Sequence, residues 1–327
     1  KKMSQKIKIM ILGGARENGK NMYAVQVEDE IFIMDAGLKY PDSSLLGIDV
    51  VIPDLDFFRD YGDKIAGIFL THGHADSIGA LPYILRDYDI PVFGSKLTIE
   101  LAKIAVQREN RRRKNDLFHV IDADTEIEFK NANVSFFKTT HSIPDSLGID
   151  ISTKEGEIVY TGDFKFDPSA KEGFRTDFVR LSEIAQKGVL ALLSDSTNAE
   201  ANFPNDRQTS IEKYIFNIFE NYEGRIIAAA KASNIVRVQE IFQAAAATGR
   251  HVFLTGRDAG KIVYTAMKLG YLNVPKGLLV HSKDLKKIPD RELVILETGR
   301  MGEPLKSLQK MATNRHRMIK IKKGDLV

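Results

Sequence analysis

Thr71-His72-Gly73-His74-Ala75-Asp76-Ser77 sets two imidazoles two residues apart, with a carboxylate two residues beyond the second. Imidazole nitrogens at that spacing suit Zn²⁺ or Mn²⁺, and the carboxylate can serve a second ion. The apolar run at 65–70 reads as a short buried strand, so all three side chains fall on the loop at its end and reach one centre together. Metal-compatible groups recur in the same way: Asp35 closes the strand expected at 31–34, His141 follows a strand pair, and Asp163 follows the strand expected at 157–161. A lone histidine is ordinarily a satisfied surface or core residue. Six groups gathered at successive strand ends are instead the pattern of an active-site loop cluster.

Composition bounds the chemistry. The chain has no cysteine, so disulfides and thiolate ligands are excluded and any metal must rest on His, Asp or Glu. Its 327 residues, 43% hydrophobic, can bury a sizeable core and suggest two domains. Lys and Arg number 47 against 44 Asp and Glu, and the resulting +3 is too small to imply nucleic acid by itself. No apolar run approaches the ~18 residues of a membrane span, which points to a soluble, cytoplasmic protein. Lys1-Lys2 ahead of Met3 lacks an apolar signal core and reads as a remnant before the natural start.

The elements that must position these groups differ between the two halves. In the first half, strands are expected at 7–12, 22–27, 31–34, 126–129, 134–137 and 157–161, with a hairpin at Glu28-Asp29-Glu30 and a helix over 97–113. In the second, strands at 225–230, 251–255 and 293–296 alternate with helices at 210–222, 234–247, 259–269 and 303–312, the rhythm of α/β units on a parallel sheet. The polar stretch 200–209 carries the boundary, dividing the chain into 1–207 and 208–327. Gly13-Gly14 to Gly19 leads into another strand where a dinucleotide-binding turn would open a helix. Gly256 to Ile262 is one residue short of a phosphate-binding loop and reads as a helix start. The basic run Arg108, Arg111, Arg112, Arg113, Lys114 suits a solvated helix end, with no aromatic beside it for base stacking.

His-x-His-x-Asp-His is the signature of the metallo-β-lactamase superfamily, and Ser77 stands where its last histidine would be. Longer strings resemble the ribonuclease J family of that superfamily: Asp35-Ala36-Gly37, Leu46 to Asp54, Thr140 to Ser146, Thr161 to Asp167 and Leu193 to Asn198. Ala232-Ser233-Asn234 and Thr298-Gly299 to Gly302-Glu303-Pro304 resemble its β-CASP domain. The resemblance implies an α/β metallo-β-lactamase αββα sandwich carrying a β-CASP insertion. It also implies a cytoplasmic nuclease that hydrolyses RNA, from a 5′ monophosphate and internally. By the same likeness His72, His74, His141 and Asp163 hold a first metal, with Asp163 bridging to a second at Asp76, and Asp35 orients ligands by hydrogen bonding. Asp76, Asp163 and Asp195 would be catalytic, with Asp195 assisting proton transfer, and Ser233 and Asn234 would touch RNA.

Two departures shape the expected activity. A serine hydroxyl at Ser77 is a far poorer ligand than imidazole, and Val236 stands where the family has a β-CASP histidine. The family pattern also implies further segments after Val327, among them a histidine-rich phosphate loop, which makes the chain look truncated. The likeness is greatest to the second, catalytically weakened paralogue of the family. The expectation is therefore a ribonuclease with weak or absent activity of its own, holding at most one Zn or Mn ion or none. The alternative is a non-catalytic subunit that binds RNA or scaffolds the active paralogue, in hetero- or homo-oligomers. Hydrolysis of small esters is a third reading, disfavoured by the β-CASP-like half.

Overall fold

The computed structural model describes residues 4–41, 45–109, 115–168, 170, 173–200, 207–299 and 304–327. They form two compact units, Lys1–Ala199 and Glu200–Val327.

The first unit opens with an antiparallel meander, β1 (Ile7–Gly13), β2 (Met22–Val27) and β3 (Glu30–Met34). Glu28 makes the expected hairpin tight by taking a left-handed φ of 54°. α1 (Asp56–Tyr61), β4 (Ile65–Phe69), α2 (Ala75–Ile78), α3 (Leu81–Asp87), β5 (Val92–Gly94), α4 (Lys96–Glu109) and β6 (Phe118–Val120) follow. They complete a sheet in the order β1 to β6, parallel from β3 onward. The second sheet runs β11-β10-β9-β8-β7, built from β7 (Glu126–Glu128), β8 (Asn133–Lys138), β9 (Leu147–Thr153), β10 (Gly156–Tyr160) and β11 (Val189–Leu193), with α5 (Phe178–Lys187) joining the last two.

The sheets pack face to face. Val25, Phe32, Met34 and Phe69 of the first share one buried cluster with Val134, Phe136, Ile149, Ile158 and Tyr160 of the second. Burying these side chains from water, at roughly 25 cal/mol per Å² of apolar area, is the main force holding the sandwich closed. Helices cover the outer faces: α5 sets Ile184 against Phe137 and Val159, while α3 and α4 bury Leu81, Ile84, Leu97 and Ala102. Asp177 caps α5 by accepting from the Arg180 amide at 2.9 Å, and Gly188 ends it at φ 93°. Beneath α5 two carboxylates, Asp150 and Glu157, are buried. Ser135 Oγ donates to Asp150 at 3.3 Å and Ser152 Oγ to Glu157 at 2.9 Å. Burial first, then the Glu157 neighbour, raises Asp150 to about 7.

The second unit alternates as its sequence suggests. α6 (Arg207–Asn221), β12 (Ile226–Ala229), α7 (Ile235–Ala247), β13 (His251–Thr255), α8 (Ala259–Lys268), β14 (Leu293–Glu297) and α9 (Leu305–Ala312) build a parallel sheet in the order β12-β14-β13. One face, with Ile227, Phe253 and Ile295, is sealed by Leu285, Ile288, Leu308, Met311, Ile319 and Ile321. α7 and α8 pack against β13, burying Val238, Ile241, Val263 and Ala266.

α4 ends at Glu109, and the expected continuation through Arg111, Arg112, Arg113 and Lys114 lies outside the described residues, as do Gly302 and Glu303. Arg108 pairs with Glu109 at 2.9 Å.

Candidate metal centre

β4 delivers its loop to the end of the sandwich because its own residues are buried apolar ones and the chain must then turn: His72 is fully buried, and His74 precedes α2 in an extended conformation. His141 follows β8 and Asp163 follows β10. The three imidazoles converge with ring centroids 4.8, 4.8 and 4.9 Å apart and planes tilted by 73° to 88°. His141 Nε2 lies 3.1 Å from His74 Nδ1. Nitrogens sharing one tetrahedral Zn²⁺ at 2.0–2.1 Å sit about 3.3 Å apart, so the spacing, which also makes a direct hydrogen bond between the rings, is one that a ligand set could adopt.

His72 Nε2 is the clearest sign of a missing partner. It is buried without a hydrogen bond, 3.4 Å from Asp76 Oδ1 and 3.9 Å from Asp163 Oδ2. Asp163 Oδ2 is also 3.9 Å from His141 Nε2. Two groups result, His72 with His74 and His141, and His72 with Asp76 and Asp163, each with its ligand atoms within 4.8 Å of one another. The residues present fit a transition metal: they supply three borderline-soft nitrogens and two carboxylates at one point.

Asp35 touches no imidazole. Fully buried and at φ 59°, it accepts from the Thr71 amide at 2.8 Å, the Thr71 hydroxyl at 2.8 Å and the Tyr160 hydroxyl at 2.9 Å. Thr71 Oγ1 in turn meets His72 Nδ1 at 2.9 Å. Thr71 has one hydroxyl hydrogen; when Asp35 is a carboxylate it takes that hydrogen, so the Thr71 oxygen accepts from His72 Nδ1–H, and whenever the imidazole is neutral its Nε2 lone pair faces the cluster. Ser77, also fully buried, places its hydroxyl 3.2 Å from the same Nδ1, on the ring edge opposite the carboxylates. A side chain at Gly162, at φ 59°, would strike Thr71 within 2.7 Å, so glycine there lets β10 close on this relay.

The charges are set by burial and by one another. Burial opposes charge on His72, but Asp76, Asp163 and Asp35 outweigh it and lift the imidazole to about 9. Burial and the two neighbouring histidines push His141 down to about 2. Burial raises Asp35 to about 7 against the pull of His72 and its donors.

Asp195 follows β11, where its amide donates to Thr161 Oγ1 at 3.1 Å and its carboxylate accepts from the Thr197 amide at 2.7 Å. That places it at the sheet end that carries Asp163, and both acids raise Tyr23 after burial and Asp35. Ser233, Asn234 and Val236 belong to the second unit. Asn234 caps α7, accepting from the Arg237 amide at 3.1 Å, and half-buried Val236 lies in the first turn. Thr71, Tyr23 and Tyr160 were not expected at the site; a hydroxyl directly before the first histidine was the one available signal.

Two face-to-face sheets with histidines and carboxylates gathered at their strand ends define a member of the metallo-β-lactamase superfamily, whose sequence profile matches residues 15–212. The profile "Ribonuclease J, beta-CASP domain" matches residues 223–327. The chain is 56% identical over 322 residues to "Ribonuclease J 2" of Streptococcus pyogenes, covering 98% of this chain and 58% of that protein. It is 44% identical over 327 residues to the proteins of that name from Staphylococcus epidermidis and Staphylococcus aureus, covering all of this chain and 58% of each. The chain thus belongs to the ribonuclease J family, and spans little more than half the length of these relatives. A solved protein of unknown function from Enterococcus faecalis V583 shares the fold, with TM-score 0.63 at 14% identity, over 99% of this chain and 89% of that one. Among the described residues no helix is long and apolar enough to cross a membrane.

Proposed function

We propose that this chain acts in RNA processing or decay as a metal-dependent phosphodiester hydrolase whose own turnover is weak. The observation that carries this reading is the convergence of His72, His74 and His141, with a buried Nε2 lacking a hydrogen bond. His72, His74, His141 and Asp163 would hold one ion, Zn or Mn, and Asp76 with Asp163 would offer the weaker second position. A bound ion supplies Lewis acidity toward a phosphoryl oxygen and lowers the pKa of water. The protein's part is to hold the ligands and move protons. Asp35 and Thr71 keep the hydrogen of His72 on Nδ1. Asp195, held by the Thr197 amide, would accept the proton. Ser233 and Asn234 would meet the RNA backbone from the β-CASP domain.

Ser77 supports the weak-turnover reading. A neutral hydroxyl beside His72 Nδ1 offers no nitrogen to a second ion, so a two-ion site here would lack one of its donors. Metal-loaded protein should contain no more than one tightly held ion per chain by elemental analysis, and should cleave RNA far more slowly than an intact family member. Two tight ions, or equal turnover after contaminating nucleases are removed, would refute the reading. Ser77 and Val236 also favour a second reading, a subunit that binds RNA and an active paralogue without chemistry of its own. Light scattering of the two proteins mixed at micromolar concentration tests it: a heteromer with altered RNA turnover is expected, and two independent species would refute it.

A further inference from the structure

Charge is unevenly spread along this chain. Residues 276–327 hold 13 Lys and Arg against 6 Asp and Glu, a net of +7 in a chain totalling +3, which leaves −4 for the residues before them. The fold turns this excess into a surface. Leu285, Leu308, Met311, Ile319 and Ile321 point inward and seal one face of the β12-β14-β13 sheet, so the residues between them face water. Lys283, Lys286, Lys310, Arg315, Arg317 and Lys320 are all exposed.

The turn after α9 draws three of them, Lys310, Arg315 and Arg317, together. The amides of Arg315 and His316 both donate to the Lys310 carbonyl, at 2.7 and 2.9 Å. His316 tucks inward, its Nε2 3.7 Å from buried Glu297 and its Nδ1 accepting from the amides of Met318 and Ile319 at 3.3 and 3.0 Å. Arg315 and Arg317 flank that inward anchor and stand outward beside Lys310. Three other cations of this segment are matched: Lys322 pairs with Asp290 at 2.7 Å, Lys287 with Asp284 at 3.5 Å and Arg291 with Glu292 at 3.8 Å. These six have no carboxylate partner among the described residues. A solvated face that merely kept the protein soluble would intersperse both signs.

We propose that this outer layer of the second unit is a docking face for the phosphate backbone of single-stranded RNA. Fixed cations there neutralise successive phosphates and release counterions, which binds RNA without reading its sequence. The proposal rests on the reading of this chain as an RNA-processing protein, but concerns binding and not cleavage.

The test is fluorescence anisotropy with a labelled oligouridylate of about 20 nucleotides, in EDTA so that no cleavage occurs, over a series of KCl concentrations. Replacing Lys310, Arg315, Arg317 and Lys320 together by Gln should weaken binding about tenfold and reduce the slope of log K against log salt by about 0.7 for each phosphate no longer neutralised. Gln at exposed Lys6, Lys8, Lys154 and Lys187 removes the same charge elsewhere and should leave the slope unchanged. A charge-preserving set, Lys310→Arg, Arg315→Lys, Arg317→Lys and Lys320→Arg, should bind as the parent does. Wild-type affinity and slope in the first variant would overturn the proposal and leave the face to a protein partner; equal losses in both Gln sets would overturn it in favour of net charge alone. His72→Ala should bind RNA normally in this assay, so a failure of the hydrolase reading leaves the result interpretable.

Discussion

The first unit keeps its specialised side chains inside, and the second keeps them outside. His72, Asp35, Thr71 and Ser77 are buried and each depends on a particular atom of its neighbour. The six cations of the second unit's outer layer stand in water, and none is held by another. Buried polar groups lose a full desolvation penalty when a partner goes, whereas exposed charges act as a sum and tolerate single losses. The units should therefore respond to substitution in different ways: sharply and by residue in the first, gradually and by charge in the second.

The largest expected effect is at the ligands. His72→Ala or His74→Ala should weaken metal binding by more than about 100-fold, measured by competition with a chromogenic chelator, while any single Lys→Gln in the second unit leaves it unchanged. Comparable loss from both kinds of variant would erase the contrast. The reverse change tests the degenerate positions. Ser77→His with Val236→His, in the full-length protein, should raise RNA turnover by up to about a hundredfold, the worth of roughly 3 kcal/mol of restored stabilisation. No gain, in a double variant shown to bind two ions, would mean that other residues limit the rate.

Thr71→Val removes the hydroxyl between Asp35 and His72 with little change of shape. It should cost about tenfold in metal affinity, and Thr71→Ser should recover most of that. The most gradual effect concerns acid. Asp150 and Asp35 are buried and raised to about 7, so the folded protein keeps their protons where the unfolded chain has released them above about pH 4. Between those values the folded state binds more protons, so stability falls as pH rises, by at most about 1.4 kcal/mol per pH unit for each group. Asp150→Asn should remove the Asp150 share of the slope from pH 5 to 8 in chemical denaturation of metal-free protein; a profile unchanged from the parent's would contradict the assignment.

Much of this arrangement was legible in the sequence because it is local. The strand before His72, the hairpin at Glu28 and the alternation of the second unit follow from apolar period and turn residues within a few positions. β9 was not, since its residues are buried on both faces and Asp150 interrupts the apolar pattern from within. In the sequence α5 is marked by Asp177 and Gly188 at its two ends, yet it is absent from the expected elements. Thr71 and Tyr160 escaped for a different reason: they meet through Asp35 only once β10 of the second sheet packs over β3 and β4 of the first, a relation that no spacing along the chain encodes. The ligands themselves were legible by type, but not the side of His72 that Ser77 addresses. The outward basic layer escaped too, because a whole-chain charge of +3 averages it away.

His74 and His141 are 67 residues apart in sequence and meet at 3.1 Å. An ion held by both would act as a removable cross-link between the two sheets, present only in the folded chain. Occupancy then becomes a quantity that a melting curve can weigh without any RNA, since an ion at about 100 times its dissociation constant adds about 2.7 kcal/mol to unfolding.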